Sequence, residues 1–308
     1  LRASSPAGKR EEVPRVLLIG STGQLGRELA TRLAGPSLTA LSHTDLEITD
    51  PEATDRMLRS VRPDVILNTS AFHAVDRCED EPERAFAVNA LAVRHLARRA
   101  AEHGSLLVHF STDYVFAGDG HRPYREDDAP QPRSAYATSK LAGECFVRAL
   151  APRHLVVRSA GLFGGAGSTG KGGNFVSAIL RRARAGETLK VVADQVTAPT
   201  YTCDLAATVV ALVERALAEP QAAVGVVHAT AAGECSWHEF ASAIIADAGL
   251  DAPVAPISTA ELGARAPRPA YSVLDNARLA ALGIARPAPW RDGLRRYLAE
   301  RGELAPPR

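Results

Sequence analysis

Tyr136 and Lys140 stand four residues apart in SAYATSKLAGE, a segment whose apolar spacing predicts a helix. At that spacing both side chains leave one helix face about one turn apart. A tyrosine phenol ordinarily titrates at about 10, too high for ready proton exchange near neutrality, and a neighbouring ammonium lowers that value by stabilising the phenolate. The pair is a candidate proton donor with its partner, although Tyr and Lys fall four apart by chance on many helices. Upstream, the apolar run 106–110 ends in Ser111-Thr112-Asp113. Ligands of open α/β sheets lie beyond the carboxyl ends of the strands, so the Thr112 hydroxyl is placed to hydrogen-bond a substrate carbonyl, or, in the plainer reading, to cap a turn. A third element is Gly20-Ser-Thr22-Gly23-Gln24-Leu25-Gly26, a GxxGxxG turn after the first apolar run. Glycines there let the backbone approach a pyrophosphate at a helix N-terminus, or serve packing alone.

These residues need a scaffold, and the chain between them supplies one. Apolar runs at 16–19, 38–41, 65–67, 106–110 and 155–157 read as buried strands, and 24–33, 51–60, 83–102 and 136–150 carry helical three-and-four spacing. Alternation of strands and helices predicts right-handed crossovers and an α/β fold, a Rossmann-type doubly wound parallel sheet. After 160 the rhythm changes to a glycine-rich loop at 161–173 and helices near 175–185, 203–218 and 237–248. The expected organisation is a mobile tail at 1–14, a dinucleotide-binding domain at 15–160, and a smaller substrate-binding lobe at 161–308 partly interleaved with the sheet. The second strand ends in Ser42-His43 with no carboxylate at its tip, which favours NADP(H) over NAD(H), the alternative, since a free ribose is usually held by an acid there.

Composition narrows the function classes. Lys plus Arg number 36 against 35 Asp plus Glu, a net charge of +1, which removes the electrostatic case for nucleic acid as partner. No apolar run is long enough for a membrane span and no signal peptide is visible, so the expected location is cytoplasmic. Cys78, Cys145, Cys203 and Cys235 are widely spaced, which suits reduced thiols better than disulfides or a metal site. The segment 165–172 nearly matches a P-loop but has Gly172 where a hydroxyl is required; it reads instead as a substrate loop in which Lys171 meets a diphosphate. Arg268 is open between binding a substrate phosphate and forming a structural salt bridge.

With RVLLIGSTGQLG, LEITD, RPDVILNTSAFHAVDRCEDEP, FAVNA, STDYVFAG, YATSKLAGE, GGNFV, DQVTAPTYTCDLA and RPAYSVLD in this order, the chain resembles the extended short-chain dehydrogenase/reductase family, in its dTDP-4-dehydrorhamnose reductase branch. The resemblance implies NAD(P)H-dependent reduction of the 4-keto group of a dTDP-linked deoxysugar. It implies Tyr136 as proton donor, Lys140 as its partner and ribose ligand, Thr112 as the hydroxyl holding the carbonyl, and Asn89 as an organiser of the proton relay. It further implies that Glu47 and Ile48 contact the adenine, that Thr69, Ser70 and Ala71 line the cofactor, and that His73, Asp113 and Asn174 contact substrate. A nucleotide sugar is the expected partner, and a homodimer is compatible. The family's Tyr-Thr pair after the third strand is Phe72-His73 here, and Gly161 stands where a tryptophan is common, so the particular keto sugar is left open. Two other readings are a ketoreductase for another deoxysugar, of the streptose type, and a non-catalytic NADP-binding regulatory subunit.

Overall fold

Val16 and Leu18 turn to one apolar layer while Leu17 and Ile19 turn to the other, the two-faced burial that a central parallel strand requires. In a computed structural model, which describes residues 13–165, 173–220 and 225–306, the same pattern organises the sheet. The chain runs β1 (Val16–Ile19), α1 (Gln24–Arg32), β2 (Leu38–Leu41), α2 (Pro51–Val61), β3 (Val65–Asn68), α3 (Val75–Asp80), α4 (Pro82–Phe86), a π turn (Ala87–Leu91) and α5 (Ala92–His103). It continues through β4 (Leu106–Thr112), a 3₁₀ turn (Asp113–Val115), α6 (Ala135–Leu150), β5 (His154–Ser159), β6 (Leu162–Phe163), α7 (Phe175–Arg184), β7 (Leu189–Val192), β8 (Val196–Thr197), β9 (Thr200–Tyr201) and α8 (Thr202–Ala218). It closes with β10 (Gly225–His228), β11 (Cys235–Ser236), α9 (Trp237–Asp247), β12 (Val254–Ile257), α10 (Thr259–Leu262), α11 (Ala277–Ala281) and α12 (Trp290–Glu300).

The central sheet has the order β10-β5-β4-β3-β1-β2, and every pairing in it is parallel. Helices α1, α8 and α11 cover one face; α2, α5 and α6 cover the other. Because β2 lies on one side of β1 and β3 on the other, the crossovers reverse between β1 and β3 and open a crevice there. The doubly wound sheet expected from the sequence is present, with its last strand contributed from beyond residue 220.

A third apolar cluster joins α7, α9 and α12 through Phe163, Tyr201, Phe240 and Tyr297. Its short two-stranded sheets, β11-β8, β12-β7 and β6-β9, lie beyond the resolution of periodicity in the sequence. The segment 83–102 is helical throughout, as expected, with one local variation: a π turn at Ala87–Leu91 lies between α4 and α5 without a break in the helical backbone. The buried positions Ala85, Asn89, Val93, Leu96 and Ala100 keep three-and-four spacing across it, so the π turn leaves no periodic signal. The tail at 1–12 and the loop residues 166–172, Lys171 among them, lie outside the described residues.

Candidate active site

A cleft of about 420 Å³ opens at the carboxyl ends of the strands. One wall is the N-terminus of α1 (Gly23, Gln24, Leu25, Gly26) with Thr69, Ser70 and Ala71 after β3; the floor is the end of β4 with Tyr136 and Lys140 of α6; the far wall includes Asn174, Phe175, Gln195, Thr197, Trp237 and Ser272. The sequence-selected glycine turn, Thr112, Asp113, Tyr136, Lys140, His73 and Asn174 therefore meet in one place.

The first wall is built for close approach. A Cβ on Gly26 would overlap the Gly20 carbonyl oxygen, so only glycine lets α1 begin this tightly against β1. Thr69 locks the turn from β3, donating from Oγ1 to the carbonyls of Ile19 at 2.7 Å and Gly20 at 3.0 Å. Arg27 Nε donates to the Thr22 carbonyl at 2.9 Å. Helix α1 has no side-chain cap, so the amides of its first turn face the cleft without an internal acceptor. An anion is the natural partner for such donors.

The tip of β2 differs from the sequence reading. Asp45 folds back so that its carboxylate accepts from Ser42 N at 2.8 Å and Ser42 Oγ at 2.6 Å, and these bonds hold its pKa below the usual range. A carboxylate does occupy the strand end, although none stands there in sequence. Glu47 accepts from Thr49 and faces His43 at 3.5 Å, while Ile48 is buried in the core. Ser42, His43, Glu47 and Ile48 lie outside the lining of the cleft.

Tyr136 sits at the floor with Thr112, edge-on to Tyr114 with ring centroids 6.1 Å apart. Burial drives its pKa well above the ordinary tyrosine value, and the nearby Asp113 adds to the rise. Asp113 is itself pushed up to about 6 by burial, against hydrogen bonds that favour its ionised form. Thr112 Oγ1 donates to Asp113 Oδ1 at 3.0 Å and accepts from Tyr114 N at 3.2 Å.

Lys140, wholly buried, places Nζ 3.4 Å from His109 Nε2, and burial lowers its pKa to about 8. Asn89, in the π turn, does not address this group directly. Its Oδ1 accepts from Phe72 N at 2.9 Å, and its Nδ2 donates to Phe72 O and Ser139 Oγ, both at 3.0 Å. It ties the loop after β3 to α6.

On the far side, Asn174 caps α7 through Oδ1 and donates from Nδ2 to Gly164 O at 3.1 Å and the Tyr297 hydroxyl at 2.9 Å. Arg268 forms a salt bridge with Asp76 at 2.9 Å, and its Nη1 is buried with no hydrogen-bond partner among the described residues. Sequence reasoning missed His109, Asn68, Gln195, Trp237 and Ser272. Only His109 carried a local signal, a polar residue inside the apolar run of β4.

A glycine turn after the first of six parallel strands, with Tyr-x-x-x-Lys on the helix that follows the fourth, is the architecture of the extended short-chain dehydrogenases/reductases. More narrowly, the chain belongs to the family described as RmlD substrate binding domain, which it matches over residues 14–302. It is 39% identical over 289 residues to the spore coat polysaccharide biosynthesis protein SpsK of Bacillus subtilis, covering 93% of this chain and 98% of that protein. It is 41% identical over 285 residues to the dTDP-4-dehydrorhamnose reductase of Streptomyces griseus, covering 91% and 92%. Among solved structures, dTDP-4-dehydrorhamnose reductase from Bacillus anthracis in complex with NADP superimposes with a TM-score of 0.87 at 34% identity, covering 94% of this chain and all of that one.

Proposed function

We propose that the chain is an NADPH-dependent reductase of the 4-keto group of a dTDP-linked deoxysugar, accepting NADH less well, and that it works in the cytoplasm. The observation that carries the chemistry is a protonated Tyr136 gathered with Thr112 and Lys140 at the floor of a cleft walled by an uncapped helix N-terminus. The cofactor is supported by the NADP complex of the Bacillus anthracis relative and by the fit of that wall: the free first-turn amides of α1 suit a pyrophosphate. When bound, the nicotinamide supplies hydride to the carbonyl carbon.

The rest of the work belongs to the chain. Tyr136, kept protonated by burial, delivers its proton to the carbonyl oxygen. Thr112 holds that oxygen once its hydroxyl turns away from Asp113. Lys140, as ammonium, stabilises the resulting phenolate and holds the ribose. Residues 15–160 serve the cofactor, through Gly20, Thr22, Gly23, Gln24, Leu25, Gly26, Thr69, Ser70 and Ala71, with Ser42, His43, Glu47 and Ile48 on the adenosine side. Residues 161–308 serve the nucleotide sugar, with Asn174, Arg268 and Lys171 joining His73 and Asp113 from the first domain. Asn174 lines the cleft with its amide already engaged, so its contribution is the shape of the wall, whereas Arg268 lies behind the lining, paired with Asp76, and would have to turn to meet a phosphate.

The test is oxidation of NADPH and NADH in the presence of dTDP-linked 4-keto sugars and the corresponding free keto sugar. A far higher kcat/KM for the nucleotide-linked substrate is expected, because remote binding energy positions the reacting carbon. Equal values would remove the nucleotide-sugar assignment; no oxidation with any of them would favour the regulatory-subunit reading.

A further inference from the structure

Behind Lys140 lies a buried polar chain that the reaction scheme leaves unused. His109, in the middle of β4, is fully buried and points Nε2 at Lys140 Nζ and Nδ1 at Asn68 Nδ2, each at 3.4 Å. Asn68 in turn has its orientation set: Oδ1 accepts from Ser70 N at 3.2 Å and from Ser70 Oγ at 2.5 Å. A backbone N–H is an obligatory donor, so the amide oxygen faces Ser70 and the NH₂ faces the histidine.

The proton inventory then has one consistent solution. Burial holds His109 neutral, with one ring proton. Asn68 donates into Nδ1, which must present a lone pair, so the proton resides on Nε2. An ammonium has three donors and no lone pair; facing Nε2–H it would set donor against donor. An amine accepts that proton.

We propose that His109 is a positioning residue whose tautomer is imposed by Asn68, and that its Nε2–H holds Lys140 as an uncharged amine in the ligand-free protein. The charge on Lys140 is then acquired when negative charge arrives in the cleft, rather than being a permanent fixture of it. The unit does not conduct protons onward, because it ends at an amide that cannot release one. Burial already lowers the lysine to about 8, and a donor to its nitrogen acts in the same direction. Other ionisable groups facing this region are Glu144 from the same helix, whose charge is taken up by Arg158 of β5, Asp113 beyond β4, Tyr136, and Cys78 of α3. Of these, Glu144 is the one that raises the lysine. The bearing on catalysis rests on the role proposed above for Lys140, but the test uses the ligand-free protein, so its failure leaves the reductase reading standing.

Histidine labelled with ¹⁵N and lysine labelled with ¹³C at Cε would be followed by NMR across pH 6–10 in the intact chain, with His109→Gln and Lys140→Met assigning the signals. The expected result is a neutral His109 protonated on Nε2, with Lys140 titrating below neutrality, against about 10.4 for an ordinary lysine. Asn68→Asp replaces the donor by an acceptor, so the tautomer should reverse to Nδ1–H and the lysine midpoint should rise by about one unit or more. A wild-type His109 protonated on Nδ1, or a Lys140 midpoint above neutrality, overturns the proposal. So does an unchanged midpoint in a folded Asn68→Asp protein. Should that variant not fold, the two wild-type measurements decide.

Discussion

Tyr136 pairs a phenol that burial keeps protonated with a hydroxyl neighbour, Thr112, whose own proton is directed at Asp113. Removing the phenolic oxygen should lower kcat by about 10²- to 10⁴-fold, the usual worth of a general acid, with cofactor affinity largely retained. Steady-state kinetics and NADPH titration of Tyr136→Phe check this; turnover like the wild type would exclude the phenol from the reaction. Asp113 makes a stability prediction. Its folded pKa of about 6 exceeds the ordinary aspartate value of 3.8, so its folded form binds the proton more tightly. The associated stability is present below pH 4 and is lost as pH rises through 6, by up to about 3 kcal/mol. Urea denaturation of Asp113→Asn should therefore show a flatter profile from pH 4 to 7 and a gain over wild type at pH 7. At this scale the sequence is most legible where a residue type has one chemical use: Tyr136, Lys140 and the glycine turn were found by type and spacing. His109 and Trp237 were not, because which buried polar group meets which is decided by strands and helices far apart in the chain. That Asp45 and Glu47 follow the end of β2 closely is legible in the sequence; that a three-residue turn returns Asp45 to Ser42 is not.

The π turn and α6 form the element that sets the reacting groups. Gly143 lies on α6 one turn beyond Lys140, and a Cβ there would collide with the Asn89 carbonyl oxygen of the π turn while lying 3.3 Å from His109 Nε2. Neither backbone has room to yield without moving the helix that carries Tyr136 and Lys140. Gly143→Ala should cost about 1–3 kcal/mol of stability as an overpacked contact. It should also lower kcat by displacing the donor. Thermal unfolding together with turnover measures both, and a variant as stable and as active as wild type would show that α6 has slack here. The helices themselves were legible from three-and-four spacing, and strands 1 to 5 from short apolar runs. The π turn has no signal because the buried positions across it keep three-and-four spacing, and short strands are legible between the helices of the second half but not their bounds, since a two-residue run has no period.

Across the whole molecule the two halves are joined through a buried charge. Arg158 of β5 meets Glu144 of α6 in a two-pronged ion pair, with contacts of 3.0 Å and 2.7 Å, stacks on Phe116, and points Nη1 at His228 of β10. His228 is held neutral, its pKa lowered to about 3 by burial and by that guanidinium. Truncating one partner strands the other, so Glu144→Ala should cost about 3–5 kcal/mol, whereas Glu144→Leu with Arg158→Met should cost much less. Urea midpoints at unchanged m-value would test the contrast; equal losses in both would mean that the pair stabilises through packing alone. The late arrival of β10 has a consequence for synthesis on the ribosome. Its partner β5 ends at residue 159, yet the strand that covers its outer edge is not made until residues 225–228. At about 5–20 residues per second, the nascent chain carries an unpaired edge and a half-housed arginine for some seconds. That interval, rather than the finished enzyme, is when the chain is most open to mispairing with a neighbour, and slowing translation between codons 160 and 225 should lower the yield of active protein.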